Sequence, residues 1–239
     1  MDNISSGKNI IPRIIHYCWL SGEPWDKKTE KCFNSWKKYL PDWEYRYWTM
    51  ESLPKEVLDV PTVKWAIRNK KWAFAADYIR IWALKMYGGL YMDLDVELLR
   101  SPEDLFDSEL IVGYEKEQIG AHFMASVPHH PFIETVEDKL KTKSKQEPLP
   151  AFITPVYQSV RAEFPNRFNN PFPETFFNPF YWDYTEKKGN LNITSETYCI
   201  HWYVGGWIPE YKKSAIYQRL WKFANHINIM PILRKIRGY

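Results

Sequence analysis

Between Trp72 and Leu99 the chain reads WAFAADYIRIWALKMYGGLYMDLDVELL, and no other stretch restricts the fold as strongly. On a helical wheel Trp72, Ala75, Ile79, Trp82, Ala83 and Met86 form one apolar stripe, while Phe74, Ile81 and Leu84 occupy much of the other side. A helix apolar nearly all round is normally buried. Asp77 and Arg80, at i and i+3, therefore face apolar surroundings, and buried charges need partners. They read either as a structural ion pair or as ligand groups, with Arg80 neutralising a phosphate or orienting a carboxylate and Asp77 meeting a polar ligand group.

After Gly88-Gly89 the pattern changes to period two. Leu90, Met92, Leu94, Val96 and Leu98 point one way and Tyr91, Asp93, Asp95 and Glu97 the other, which predicts a strand with both aspartates on one face. Carboxylates so placed lie about 7 Å apart by strand rise. They repel unless a cation or a donor comes between them. Oxygen ligands of this kind suit Mg²⁺ or Mn²⁺, which reach few protein groups plus substrate phosphates. The alternative is an amphipathic strand with a wet acidic face. Asp-Leu-Asp alone is frequent by chance; its spacing from a buried Asp/Arg pair and a Gly-Gly turn makes it specific.

Upstream, Ile10–Leu20 is a β-branched run ending at Ser21-Gly22 and predicts a buried strand. Lys27–Leu40 places Cys32, Phe33, Trp36 and Leu40 at helical spacing, and Trp43–Trp48 reads as a second strand. Strand, helix, strand at this spacing is a βαβ unit, favouring a parallel sheet with ligands beyond the carboxyl ends of its strands, near Trp19–Gly22. Glu51–Asn69 reads as short helices, and Ser101-Pro102 as the start of another. Downstream, Leu110–Tyr114 and Ala121–Ser126 are predicted strands and Pro131–Lys143 an amphipathic helix. His129 and His130 read as cap or surface residues. Between Ala151 and Asn178 recurrent proline and asparagine leave room for one helix, near Pro155–Glu163. Phe176–Tyr184 and Glu196–Tyr203 read as late strands. The whole is expected to be one α/β domain over residues 1–239, with a basic amphipathic helical tail over about 208–239.

The 239 residues suffice for a substantial core. Aromatic residues make up 17%, including 12 Trp and 16 Tyr, which suits sugar or base stacking and equally suits a core. A net charge of +3 is too small to argue for nucleic acid as a partner. Neither a signal peptide nor a membrane-spanning run is visible. The 3 cysteines are odd in number and lack CxxC spacing, which points to reduced thiols in a cytosolic setting.

The central segment resembles the signature of the DXD-motif sugar transferases (glycosyltransferase family 32), a family of fungal α-mannosyltransferases, α-1,4-galactosyltransferases and bacterial capsule enzymes, more distantly related to the glucosylating domains of large clostridial toxins. Ala75-Ala76-Asp77, Arg80, Gly88-Gly89, Leu90-Tyr91, Asp93 and Asp95 match it, and IPRIIHYCWLSGEPW and SWKKYLPDWEYRYW resemble the capsule-type members. The resemblance is good over residues 10–135 and thin beyond. It implies a single-domain GT-A fold, with a mixed central sheet flanked by helices, and a metal-dependent, anomer-retaining transfer. Under it Asp93 meets the ribose and the donor sugar, and Asp95 ligates the Mn²⁺ or Mg²⁺ that holds the diphosphate. Asp77 and Arg80 hold the donor sugar and its phosphate, Trp19 stacks on the base, and Tyr17 and Tyr91 join the substrate wall. Near the C-terminus, His201 and Trp207 match a family element, with Gly206 where a serine is usual; His201 is a candidate metal ligand and Trp207 a substrate contact. Glu115 and Asp183 are candidate acceptor-side carboxylates.

The expected donor is a nucleotide-sugar, UDP-linked and carrying galactose by preference, with GDP-mannose as the alternative. The expected acceptor is a lipid-linked glycan of a capsular or surface polysaccharide. A phosphoryl or nucleotidyl transferase lacks its phosphate loop here, since no GxxxxGK[ST] is present. A lectin-like module leaves the Asp77/Arg80 pair unexplained. From Glu210 onward seven Lys/Arg face one acid, with Ile216, Tyr217, Leu220, Trp221 and Ala224 on one helical face. That suits an anionic membrane surface, on the inner face of the cell membrane, and equally a packing helix with a solvated lysine face.

Overall fold

The computed structural model describes residues 10–142, 148–183 and 188–203, with the side chains of 181–183 and 188 left out. Five strands form a mixed sheet in the order β2-β1-β3-β8-β5: β1 (Ile14–Cys18), β2 (Glu44–Trp48), β3 (Gly89–Met92), β5 (Leu110–Ile111) and β8 (Phe123–Ser126). β1 runs parallel to β2 and to β3, whereas β8 runs antiparallel to β3 and to β5. Three short ribbons lie outside it: β4 (Val96–Leu98) with β11 (Cys199–His201), β6 (Tyr114–Glu115) with β7 (Gln118–Ile119), and β9 (Phe180–Asp183) with β10 (Lys188–Leu191). The helices are α1 (Lys27–Tyr39), α2 (Lys55–Leu58), α3 (Pro61–Arg68), α4 (Trp72–Tyr87), α5 (Pro131–Lys141), α6 (Leu149–Glu163) and α7 (Glu174–Phe177). The chain divides into two units, residues 1–180 with 191–203 and residues 181–190 with 204–239; the site described below lies within the first.

The expected βαβ start is present. Asp26 caps α1 by accepting from the Thr29 N–H at 2.7 Å, and Cys32 and Trp36 turn inward from it. Residues 78–84 of α4 are buried on every side as the composition requires, and Met86 beyond them is exposed. Two apolar clusters flank the sheet. Ile79, Trp82, Ala83, Leu84 and Tyr91 belong to one, and Tyr17, Trp36, Leu90, Met92, Leu94, Val96 and Leu98 to the other.

Gly88 and Gly89 make the junction between α4 and β3. Both have positive φ (62° and 97°), and a Cβ on Gly89 would sit 2.5 Å from the backbone oxygen of Ile14 on the neighbouring strand. Only glycine lets the helix end this close to the sheet.

Four expectations change. The strand does not run through the aspartates: β3 stops at Met92, Asp93–Asp95 form a turn closed by Val96 N–H to Asp93 O, and β4 then pairs in a different ribbon. The aspartates, whose carboxylates repel, sit where the main sheet has run out. Helix α6 begins at Leu149, not near Pro155, and runs through that proline, because Leu149, Ile153, Val156, Tyr157 and Val160 bury one continuous stripe. The late segment from Phe176 is the end of α7 before β9 begins at Phe180, and the Ser101-Pro102 start yields only a 3₁₀ turn, Glu103–Leu105. The tail from residue 204 and Trp207 lie outside the described residues.

Candidate active site

The site gathers where strands of opposite direction meet. β1 and β3 are parallel, so Trp19 and Asp93 both follow the carboxyl ends of neighbouring strands, a common ligand position in α/β sheets. β8 is antiparallel to β3, so His122, just ahead of β8, lies beside the end of β3, and its carbonyl accepts from the Asp93 N–H at 2.9 Å. β11 pairs with β4 so that His201 faces Val96, and the Trp202 N–H binds the Asp95 oxygen at 3.0 Å.

Arg80 reaches this point from α4. Its guanidinium lies 3.0 Å from Asp77 and 3.2 Å from Asp93, donates to the Ala121 carbonyl, and rests 4.7 Å above the Tyr91 ring. Burial on its own would lower the Arg80 pKa, but Asp93, Tyr91 and Asp77 outweigh it and hold the side chain charged. The ion pair read from the sequence is present and reaches further: a single cation spans the helix carboxylate and the first aspartate of the turn.

Asp93, Asp95 and His201 each offer a ligand atom, all within 4.8 Å of one another. His201 Nε2 is 3.3 Å from Asp95 Oδ1. Burial disfavours the His201 cation, yet Asp95, Asp93 and Glu115 raise its pKa, the electrostatic signature of a pocket that attracts positive charge. Two carboxylates and an imidazole fit a divalent cation.

Behind His201 lies a layer of which the sequence marks only Glu115, and that for another role. The His122 ring stacks on the His201 ring with centroids 4.3 Å apart and planes 15° from parallel, and the Tyr203 ring lies 4.0 Å away on the same histidine. Glu115 stands 3.5 Å from His122 Nδ1 and accepts from the Tyr203 hydroxyl at 2.9 Å. Burial would raise the Glu115 pKa; His122, His201 and Tyr203 prevail and bring it down to about 2, so it is a carboxylate. No periodicity marks His122, and Tyr203 is visible in the sequence only as the end of the late strand Glu196–Tyr203.

Other expected contacts fall elsewhere. Tyr17 is a core ring: strand alternation turns it away from Cys18, which feels Arg80 and Asp93, and stacks it on Tyr47 at 5.0 Å. Tyr91 is fully buried and reaches the site only through Arg80. Trp19 is half-buried at the end of β1 and donates to Glu23 O. His130 caps α5 from a buried position, and exposed His129 pairs with Glu134, in line with the cap-and-surface reading. The Asp183 side chain is outside the described set.

Against known proteins, residues 26–112 match the family described as the glycosyltransferase sugar-binding region containing DXD motif. That stretch holds Asp77, Arg80, Asp93 and Asp95. The chain is 31% identical over 164 residues to inositol phosphoceramide mannosyltransferase 2 of Schizosaccharomyces pombe, covering 62% of this chain and 44% of that protein. It is 30% identical over 151 residues to mannosyl phosphorylinositol ceramide synthase CSH1 of Saccharomyces cerevisiae, covering 61% and 39%. The chain thus spans less than half the length of these relatives. Among solved structures the PaToxG glycosyltransferase superposes with a TM-score of 0.50 at 17% identity, over 65% of this chain and 72% of that one, which shows a GT-A fold.

Proposed function

We propose that the protein is a metal-dependent glycosyltransferase moving mannose from GDP-mannose to a lipid-borne acceptor. The observation that carries this reading is the convergence of Asp93, Asp95 and His201 within 4.8 Å, with Arg80 held behind Asp93. The mannosyl preference over the UDP-galactose expectation rests on the names of the two yeast relatives, as does the lipid acceptor.

In the transfer the bond from the sugar C1 to the diphosphate oxygen breaks, and a bond from C1 to an acceptor oxygen forms. Negative charge grows on the leaving diphosphate. A divalent cation bound by Asp93, Asp95 and His201 would supply Lewis-acid neutralisation there. Asp93, fixed by Arg80 and by its own backbone N–H, presents its carboxylate at the end of β3 without rotamer search. The Arg80 cation adds preorganised positive charge close to that centre. Trp19 is assigned to the base. We read the transfer as retaining, the acceptor proton passing to a carboxylate or to the leaving phosphate itself.

The deciding experiment is thermal stabilisation by GDP-mannose, UDP-galactose and free GDP or UDP, with and without Mn²⁺, followed by product analysis. GDP-mannose should raise Tm only with Mn²⁺; stabilisation by UDP-galactose alone would restore the galactosyl reading, and no response to any nucleotide would remove the transferase assignment. We further assign the basic tail to the cytoplasmic face of a membrane. Removing residues 226–239 should weaken binding to anionic vesicles, and unchanged binding would overturn that assignment.

A further inference from the structure

A metal-binding imidazole is ordinarily oriented by a hydrogen bond from its second ring nitrogen to a carboxylate, a carbonyl or water. His201 lacks this support: with Nε2 toward Asp95, its buried Nδ1 makes no hydrogen bond among the described residues. What holds the ring is packing. His122 covers it at 4.3 Å, nearly parallel, and Tyr203 lies 4.0 Å away. Both rings are anchored independently of His201, and both anchors include Glu115. His122 Nε2 bonds the Phe177 carbonyl at 3.2 Å, while its buried Nδ1 lies 3.5 Å from Glu115, close enough for an electrostatic contact but without a hydrogen bond. Tyr203 donates to Glu115 at 2.9 Å and accepts from Asn178 Nδ2 at 2.6 Å. Tyr203 also has a left-handed backbone, φ 48°, uncommon for a bulky residue and persistent only where surroundings impose it.

We propose that Glu115, acting through the His122 and Tyr203 rings, is a positioning residue that aims His201 Nε2 at a divalent cation shared with Asp93 and Asp95. The proposal rests on the metal-dependent reading of the site and replaces the acceptor-side role expected for Glu115. A carboxylate already engaged by two side chains that face His201 is spent on orientation rather than on an incoming hydroxyl. His122 and Tyr203 thereby become parts of the metal centre without touching the metal.

The test is Mn²⁺ binding to the purified protein, read by electron paramagnetic resonance, in Glu115→Gln, His122→Phe, His201→Ala and the Glu115→Gln/His201→Ala pair. Wild type should show a ¹⁴N modulation from a coordinated imidazole, absent in His201→Ala. Glu115→Gln should weaken Mn²⁺ binding about 10- to 100-fold, the usual effect of removing an outer-layer partner. It should also diminish the ¹⁴N signal, and the pair should bind no worse than His201→Ala alone. His122→Phe keeps a flat ring while losing both the Glu115 contact and the bond to the Phe177 carbonyl, so an intermediate loss of Mn²⁺ binding is expected together with a lowered unfolding midpoint in the absence of metal. Additive losses in the pair, or an undiminished ¹⁴N signal in Glu115→Gln, would overturn the proposal, as would a wild type that binds no Mn²⁺. Coupled Mn²⁺ losses in a protein that transfers no sugar would sustain it and remove only the transferase reading.

Discussion

Arg80 lies 3.2 Å from Asp93 with only 6% of its side chain exposed, so the first aspartate of the DXD turn is tied to a buried cation on the preceding helix. The pair links α4 to the end of β3, and Asp77 at 3.0 Å completes the charge balance. A buried pair of this kind is weak evidence for stability in itself, but breaking it leaves an uncompensated charge.

Arg80→Met should therefore destabilise the protein by about 3–5 kcal/mol, the range for removing one member of a buried ion pair. Arg80→Lys should fall between, since one ammonium cannot reach Asp77, Asp93 and the Ala121 carbonyl together. Urea midpoints with unchanged m-values would measure both. An Arg80→Met midpoint equal to wild type would show that the ion pair does not anchor the turn.

Asp95→Ala should abolish metal-dependent transfer while leaving the fold intact, because Asp95 contributes a ligand atom from a turn outside the main sheet. Turnover with and without added Mn²⁺, set beside the circular dichroism spectrum, separates the two. Near-normal turnover in the variant would end the assignment of Asp95 to the metal.

Stability should fall in mild acid because of His16. This fully buried histidine donates from Nε2 to Gly88 O at 2.8 Å and accepts on Nδ1 from Trp48 Nε1 at 3.2 Å, so a second proton would oppose the tryptophan donor. Burial lowers its pKa from 6.5 to about 4. The unfolded chain thus takes up this proton first as pH falls. The stabilisation is complete above pH 6.5 and is lost between 6.5 and about 4, a change of about 3 kcal/mol at 1.36 kcal/mol per pKa unit. His16→Gln should flatten the pH dependence of the urea midpoint in that window; an unaltered slope would assign it to other groups.

Gly89→Ala should be among the most damaging single-methyl changes in the chain. The new Cβ would meet the Ile14 backbone oxygen at 2.5 Å at a φ of 97°, and backbone cannot move aside as a flexible side chain can. We expect a loss above about 3 kcal/mol, beyond the ordinary range for point substitutions. Gly22→Ala serves as the control: φ is 71° there, but a Cβ would have no neighbour within 4 Å, so only the conformational cost of about 1–2 kcal/mol applies. Equal losses in the two variants would show that the approach to Ile14 is not tight.

How much could be read beforehand follows from the kind of signal each element leaves. The β1–α1–β2 start was legible because apolar runs and helical spacing are local, and so was the burial of α4. The break at Asp93–Asp95 was not, because Leu94, Val96 and Leu98 stay in the same apolar cluster as Leu90 and Met92. A turn that keeps its apolar residues on one side preserves a period-two pattern, so alternation cannot tell one strand from two. Proline 155 was read as a boundary where a buried stripe overrides it. Asp77, Arg80, Asp93, Asp95 and His201 do converge. Tyr17 misled because it lies near the end of β1 in sequence while its strand position sends it to the opposite face. His122 was invisible because what brings it to the site is the antiparallel pairing of β8 with β3, a long-range relation without a local pattern.

The ribbon of β4 and β11 makes the candidate metal site a clasp between distant parts of the chain. Asp95 and His201 are brought together by ladder register, His201 opposite Val96, and not by the path between them. The intervening chain can lengthen at surface positions at small entropic cost, about 0.6 kcal/mol for each doubling of a loop. Such growth leaves the clasp shut as long as the strand carrying His201 returns and residues 177–178 still brace His122 and Tyr203. The arrangement of the three side chains and the outline of the surface around them can therefore diverge separately: the clasp holds the first constant while the path between its two halves is free to be rewritten.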